Sequence, residues 1–359
     1  GLFRYESDGE IEPAGATEYT ISSDGLVYTV TLRSDADWSD GQPVVAQHYV
    51  DGVIRALDPA TEAWYAAYLL QPIEGAAAFS RGDITDPNQV GITALDAHTL
   101  RFTLEEPAVF FPSVMATFAT YPVRLDLISS DPDWTEAGHF VGNGPYTLEV
   151  WDHDSFLVLK RDPRYHSVGE VSFETVLLPI LPESEQVAAY ESGLVHVSAT
   201  PDDEISRILS DPELSAEFQR LPYAGVDYIG LNTELGPTSA ITVRKALASA
   251  IDRTAILSDV LSQPWREAAT SVIPPGIAGY QNGEVGYPFD PVQAQAYLAQ
   301  AGYPDGAGFP GVELWESTGH YDTTLADAVA DQWRENLNIS VSTVSRDWSD
   351  YLNALNGCR

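Results

Sequence analysis

The residue types best suited to metal binding or nucleophilic attack occur here in numbers and spacings that suit neither. Seven histidines are scattered, and no two stand four residues apart, the spacing that would set both rings on one helix face for zinc. Asp35, Asp37 and Ser39 begin like a calcium loop, but Gly41 comes one position late and Ala46 occupies the place of the closing glutamate. Gly142-Asn143-Gly144 lacks the third glycine of a dinucleotide loop and leads into a strand pattern rather than a helix. No Gly-x-Ser-x-Gly elbow, His-Glu-x-x-His pair or Walker loop occurs. With 53 acidic residues, Asp–Glu pairs are too common to mark an acid–base site. The pattern predicts no enzyme, no metal and no cofactor, and leaves binding as the expected role.

Composition narrows what could be bound. The net charge is −35, from 53 acidic against 18 basic residues, and the lysines are Lys160 and Lys245 alone. Phosphate contacts need clustered basic side chains, so a nucleic-acid partner is excluded. An acidic, lysine-poor surface suits a saline medium, where screening over less than about 10 Å relieves self-repulsion. A hydrophobic content of 44% with 11% aromatics is that of a globular chain, and no apolar run reaches the roughly 18 residues of a membrane span. A length of 359 residues calls for two or three cores. The one cysteine, Cys358, cannot form an internal disulfide.

The elements that would position a binding site read as follows. Val27–Leu32 is a strand, Ser39-Asp40-Gly41 a turn, and Val44, Val45, Tyr49, Val53, Ile54 and Leu57 recur at helical spacing until Pro59 stops the helix. An aromatic run, Trp64, Tyr65 and Tyr68, leads to a short helix near 74–79. Strands are expected at 90–94 and 99–104, and a helix near 112–118. Tyr146–Trp151, Phe156–Lys160 and Phe173–Ile180 read as strands, and Glu183–Glu191 as a helix stopped at Gly193. Val195–Ser198 and Asp227–Asn232 read as short strands, with helices at 202–209 and 212–219 between them. Helices follow at 242–251, 255–261 and 292–301, the last opened by Pro291 and closed by Gly302. Pro274-Pro275-Gly276 is a rigid loop. Leu325, Val329, Trp333 and Leu337 define a helix between strands at 312–316 and 339–344, and another helix starts at Trp348.

Several of these stretches, in order, carry a family pattern: Asp24-Gly25-Leu26-Val27-Tyr28-Thr29-Val30 with Trp38-Ser39-Asp40-Gly41-Gln42-Pro43-Val44, Gly142-Asn143-Gly144-Pro145-Tyr146, Ala189-Tyr190-Glu191-Ser192-Gly193, and Val243-Arg244-Lys245-Ala246-Leu247 with Ala250-Ile251-Asp252-Arg253. Together they resemble the extracytoplasmic solute-binding proteins of peptide-type ABC transporters, the oligopeptide- and dipeptide-binding family (solute-binding family 5). His196 stands where that pattern has aspartate. Val45 and His48 stand where it has threonine and aspartate, so the 44–57 helix is expected to fray at its start for want of a cap worth about 1 kcal/mol.

The resemblance implies an α/β chain with a two-lobed periplasmic-binding-protein type II fold and an extra small N-terminal domain. It divides the sequence into a small domain at 1–132, part of a first large lobe at 133–229, and a second lobe at 230–359. The family pattern runs on beyond both ends, so exposed apolar strand edges are expected. The function implied is the substrate-binding component of an ABC importer, which captures a peptide or similar small solute by hinge closure and delivers it to membrane permease subunits. The alternatives are a ligand-sensing domain of a regulator or receptor, or a binder of oligosaccharide, nickel or haem on the same fold. A monomer, periplasmic or at the cell surface, free or lipid-anchored, is expected. Family positions nominate Tyr65, Asn232, Thr233, Trp315, His320 and Tyr321 as ligand contacts. Arg244, Asp252 and Arg253 are expected to form structural ion pairs and helix ends rather than to touch ligand.

Overall fold

The computed structural model describes residues 1–359 apart from 7–8, 222–224, 264, 276, 278, 282–285, 318–322 and 358–359. Gly276, His320, Tyr321 and Cys358 lie outside the described residues. The chain divides into two compact units, Gly1–Ala189 and Tyr190–Arg359. The boundary expected near 132 falls inside the first unit, and that near 229 inside the second.

In the first unit a small hairpin, β1 (Phe3–Tyr5) and β2 (Ile11–Pro13), precedes β3 (Ala16–Ile21) and β4 (Val27–Leu32). Then come α1 (Ala46–Leu57), α2 (Trp64–Leu69), α3 (Ala76–Ser80), β5 (Ile92–Asp96), β6 (Thr99–Thr103), α4 (Phe111–Met115) and α5 (Leu125–Ile128). The strands form an antiparallel sheet in the order β3-β4-β6-β5. Alternation along β4 and β6 sends Tyr28, Val30, Leu100 and Phe102 to one buried face, where Tyr28 opposes Phe102 and Val30 opposes Leu100. Tyr49, Val53 and Leu57 of α1 join that core. Phe111 completes it, with ring centroids 5.1 Å from Tyr28 and 5.2 Å from Phe102. A meander of β7 (Tyr146–Asp152), β8 (Phe156–Arg161) and β9 (Thr175–Pro179) follows, then α6 (Glu183–Glu191). Leu177 and Leu178 of β9 and the following Ile180 are exposed.

The Ser39-Asp40-Gly41 turn forms as its chemistry dictates: Asp40 accepts from the Gln42 N–H, and Gly41 takes φ +86°. The turn is latched to the second glycine motif, since the Ser39 N–H donates to the Gly142 carbonyl at 2.8 Å. The start of α1 is better held than the sequence indicates. Val45 has no side-chain acceptor, but His48 reaches back and its Nδ1 accepts the Val45 N–H at 3.1 Å. The Ala46 N–H is taken by the Ala97 carbonyl at 2.9 Å.

His48 Nδ1 also accepts the Trp38 indole N–H at 3.1 Å. With two donors aimed at one lone pair, the ring is neutral and carries its proton on Nε2. Burial first, and then the Arg124 guanidinium, hold its pKa below the ordinary histidine value against the opposing pull of Asp51, Asp126 and Asp40. His166 is depressed likewise, by burial and by Arg33. An unfolded chain therefore takes up more protons than the folded one below pH about 6.5. The stability from these two groups is complete above that pH and is lost as pH falls toward their depressed folded values. Exposed His139, raised by its bond to Asp131, works in the opposite sense. Thermal midpoints should decline from pH 7 to 5, and His48→Gln should flatten that slope. An unchanged slope in the variant would remove His48 from the account.

The second unit contains α7 (Asp202–Ser210), α8 (Pro212–Glu217), α9 (Ile241–Ser249), α10 (Arg253–Ala255), α11 (Pro291–Gln300), β10 (Val312–Ser317), α12 (Thr323–Leu337), β11 (Val341–Arg346) and α13 (Trp348–Gly357). Strands β10 and β11 are parallel, with α12 as their crossover, so this part is a β-α-β unit. Val329, Trp333 and Leu337 on α12 bury against Val243 and Leu247 of α9 and Leu298 of α11. The same helix satisfies the end of α9: Trp333 Nε1 donates to the Leu247 carbonyl at 2.9 Å, and Asn336 Nδ2 to that of Ala250 at 2.9 Å.

Two expected strands do not form. Val195–Ser198 and Asp227–Asn232 are irregular, and Val197 and Tyr228 are largely exposed. A short apolar run becomes a strand only when a partner takes its backbone groups, and neither run has one among the described residues. Nor do Arg244, Asp252 and Arg253 form ion pairs among the described residues. Arg244 donates to the carbonyls of Thr238 and Ser239, and Arg253 reaches that of Tyr287. Asp252 caps α10 through the Ala255 N–H. Backbone carbonyls left over at turns and helix ends take the place of carboxylates, and the helix-end role stands.

Candidate functional site

The most distinctive surface of the first unit is built by α2. Ala66 and Leu70 point inward and are buried. At 100° per residue their direction is opposite to that of Trp64, Tyr65 and Tyr68, which stand outward. Trp64 is 62% exposed, Tyr65 49% and Tyr68 63%. A short 3-10 turn, Phe118–Thr120, brings up a fourth ring: Phe118, 54% exposed, stacks on Tyr65 at 6.0 Å and 23°. Trp64 meets Tyr65 edge-on at 5.5 Å. The Tyr65 and Tyr68 hydroxyls make no hydrogen bond among the described residues. Four aromatic rings left in solvent together gain little for the fold, and such a patch marks a contact surface. Flat faces with free hydroxyls can stack on a solute and orient its polar groups.

Of the residues nominated from sequence, Tyr65 lies at the centre of this ridge. Its partners Trp64, Tyr68 and Phe118 were not nominated. The first two carry a readable signal, since their i, i+1, i+4 aromatic spacing lies opposite Ala66 and Leu70. Phe118 carries none, because the stacking joins residues far apart in the chain.

In the second unit, Asn232 is exposed, and its Oδ1 accepts the N–H groups of Glu234 and Leu235, each at 3.0 Å. Its own carbonyl accepts the Thr238 hydroxyl at 2.6 Å. The side-chain oxygen thus closes a turn ahead of α9, and the Nδ2 donors are what it can offer a ligand. Thr233 is exposed beside it. Trp315 sits half-buried on β10 and donates its indole N–H to Glu313 at 3.0 Å. The Arg346 guanidinium lies 4.1 Å from its ring centroid, so one aromatic face is already occupied by a cation. Asn232 and Trp315 share no hydrogen bond or ring contact.

Among the described residues no three His, Cys, Asp or Glu side chains gather closely enough to hold a metal ion. Among the same residues no helix is long and apolar enough to cross a membrane.

Comparison with known proteins gives one consistent result. Residues 10–358 match the family model of the bacterial extracellular solute-binding proteins, family 5 (middle). The chain is 33% identical to the periplasmic murein peptide-binding protein MppA of Escherichia coli, over 99% of this chain and 67% of that protein. It is 29% identical to the oligopeptide-binding protein OppA of Bacillus subtilis, over 99% and 66%. A third relative, at 31% over 99% and 66%, is the probable deoxycholate-binding periplasmic protein YgiS of Escherichia coli. The chain therefore spans about two thirds of the length of these curated relatives. Among solved structures, the Escherichia coli murein tripeptide-binding protein aligns with a TM-score of 0.77 at 32% identity, over 100% of this chain and 71% of that one. Listeria monocytogenes OppA bound to peptide aligns at 0.72 with 25% identity, over 98% and 72%.

Proposed function

The chain belongs to the bacterial extracellular solute-binding proteins of family 5, and from that premise we propose that it captures peptides outside the cytoplasm for an ABC importer and releases them unaltered. The observation that carries this reading is the exposed ridge of Trp64, Tyr65, Tyr68 and Phe118 on a chain matched over nearly its whole length by peptide binders. A binder of mixed peptides must draw affinity from backbone hydrogen bonds worth about 1 kcal/mol each, supplemented by aromatic walls. Tyr65 supplies such a wall, and Asn232 Nδ2 and the Thr233 hydroxyl supply polar contacts. Trp315 contributes one ring face, and His320 and Tyr321 complete the proposed contacts. The partners are the membrane permease subunits, the protein acts as a monomer, and it catalyses no reaction.

The ridge also favours one other cargo class: rigid amphipathic solutes such as the deoxycholate named for the third relative, whose apolar face aromatic rings accept as readily as side chains. Titration of tri- and tetrapeptides and of deoxycholate separates the two. Tyr65→Ala should weaken peptide binding tenfold or more, a loss of about 1.4 kcal/mol or greater, with the thermal midpoint unchanged because the ring is outside the core. Unchanged peptide affinity in that variant would remove the ridge from the site.

A further inference from the structure

A second feature of the first unit is a small pocket, below the roughly 300–1,000 Å³ of most ligand sites but walled by aromatic rings. Its cavity is about 160 Å³, lined by Trp38, Trp134, Phe140, Leu127, Arg124 and Asn143 among others. An engineered apolar cavity of about 150 Å³ holds one benzene ring, so one ring fits here. The walls are rigid for a surface pocket. Trp38 is buried, and its indole is fixed on His48. The Arg55 guanidinium lies 5.8 Å from the Trp134 ring centroid. Gly142, also in the lining, is held by the latch in which its carbonyl accepts the Ser39 N–H.

The charge of the lining selects against ions. The basic side chain His139 also lines the pocket, with its Nδ1 held 2.7 Å from Asp131; Arg124 is the one arginine, and two carboxylates already meet its guanidinium, Asp40 at 2.9 Å and Asp126 at 2.7 Å. An anion would find that cation already neutralised and two carboxylates behind it, while the indole and phenyl walls give nothing in exchange for its lost hydration. The Asn143 carboxamide makes no hydrogen bond among the described residues and offers a donor and an acceptor to a hydroxyl or ring N–H.

We propose that this pocket binds a neutral, ring-sized aromatic compound bearing one hydrogen-bonding group, with phenol as the simplest example, at a place separate from the aromatic ridge. The ring stacks among Trp38, Trp134 and Phe140, and its polar group pairs with Asn143.

The test is titration of the protein with phenol, and separately with benzoate, a ring of similar size carrying a charge, followed through the indole N–H signals of the tryptophans. Phenol should shift two of these signals saturably, with a dissociation constant of about 1 mM or tighter, the range open to so small a ligand. Benzoate should bind at least tenfold more weakly. Leu127→Trp should fill the pocket and abolish the phenol response, with peptide affinity retained. Should that variant fold poorly, Asn143→Ala serves in its place and should weaken phenol several-fold with the same signals shifted. Shifts that rise linearly without saturation, benzoate binding as tightly as phenol, a phenol response retained in folded Leu127→Trp, or an unchanged phenol affinity in Asn143→Ala would overturn the proposal.

Discussion

Trp333→Ala is expected to destabilise the second unit by about 3–5 kcal/mol, the usual loss for removing a buried tryptophan. The residue is 3% exposed and stands where α12 meets α9, packed with Val243, Leu247, Leu298 and Leu337. Alanine would leave a void with few ways to close, since α12 is tied on both sides of position 333: Gln332 Oε1 accepts the Asp252 N–H, and Asn336 Nδ2 donates to the Ala250 carbonyl. It would also strand the Leu247 carbonyl, which now accepts the indole N–H. Trp333→Phe restores most of the volume but not the donor, and should cost about 1–2 kcal/mol, mostly from the lost hydrogen bond. Urea denaturation of both variants checks the ordering. Equal losses would mean that the hydrogen bond, rather than packing, dominates at this position.

Gly52→Ala should cost the first unit about 2–4 kcal/mol, although alanine is favoured over glycine inside a helix by about 1 kcal/mol. A Cβ at this point of α1 would come within 2.1 Å of the Tyr121 carbonyl oxygen, deep inside van der Waals contact. The 121–123 segment cannot retreat freely, because the Val123 N–H is bonded to the His48 carbonyl on the same helix at 3.0 Å. The tolerance of Gly169, where an added Cβ meets nothing within 4 Å, provides the control. Gly169→Ala should change stability by less than about 0.5 kcal/mol. Thermal midpoints of the two variants should separate by roughly 5–15 °C, at about 2–4 °C per kcal/mol for a unit of this size. Coincident midpoints would show that the helix and the loop are not locked together as described.

The parts legible in the sequence are those where periodicity and burial agree. Strand β4 and helix α1 were readable because their apolar residues alternate or recur toward one core, and α12 because Leu325, Val329, Trp333 and Leu337 fall on one stripe. Val195–Ser198 and Asp227–Asn232 were misread because apolar content does not say whether a pairing partner exists. Side-chain partnerships were the least legible. His48 breaks the family pattern at the helix start, and only geometry shows that its Nδ1 restores a backbone bond there while fixing Trp38. The charges Arg244 and Arg253 found carbonyls, which no spacing rule announces. At the candidate site the sequence nominates Tyr65 alone on α2; Trp64 and Tyr68 are not nominated, although their spacing is local and readable. Phe118, which stacks on Tyr65, comes from a different element and could be found only in three dimensions.

The central claim is that this chain holds a peptide without changing it. Isothermal titration of a mixed tri- and tetrapeptide library into ligand-stripped protein, with mass spectrometry of the peptides recovered afterward, tests it most directly. Saturable binding at about micromolar affinity, equivalent to roughly −8 kcal/mol, with every peptide recovered intact, is the predicted result. Cleaved peptides, or no saturable heat from any member of the library, would contradict it.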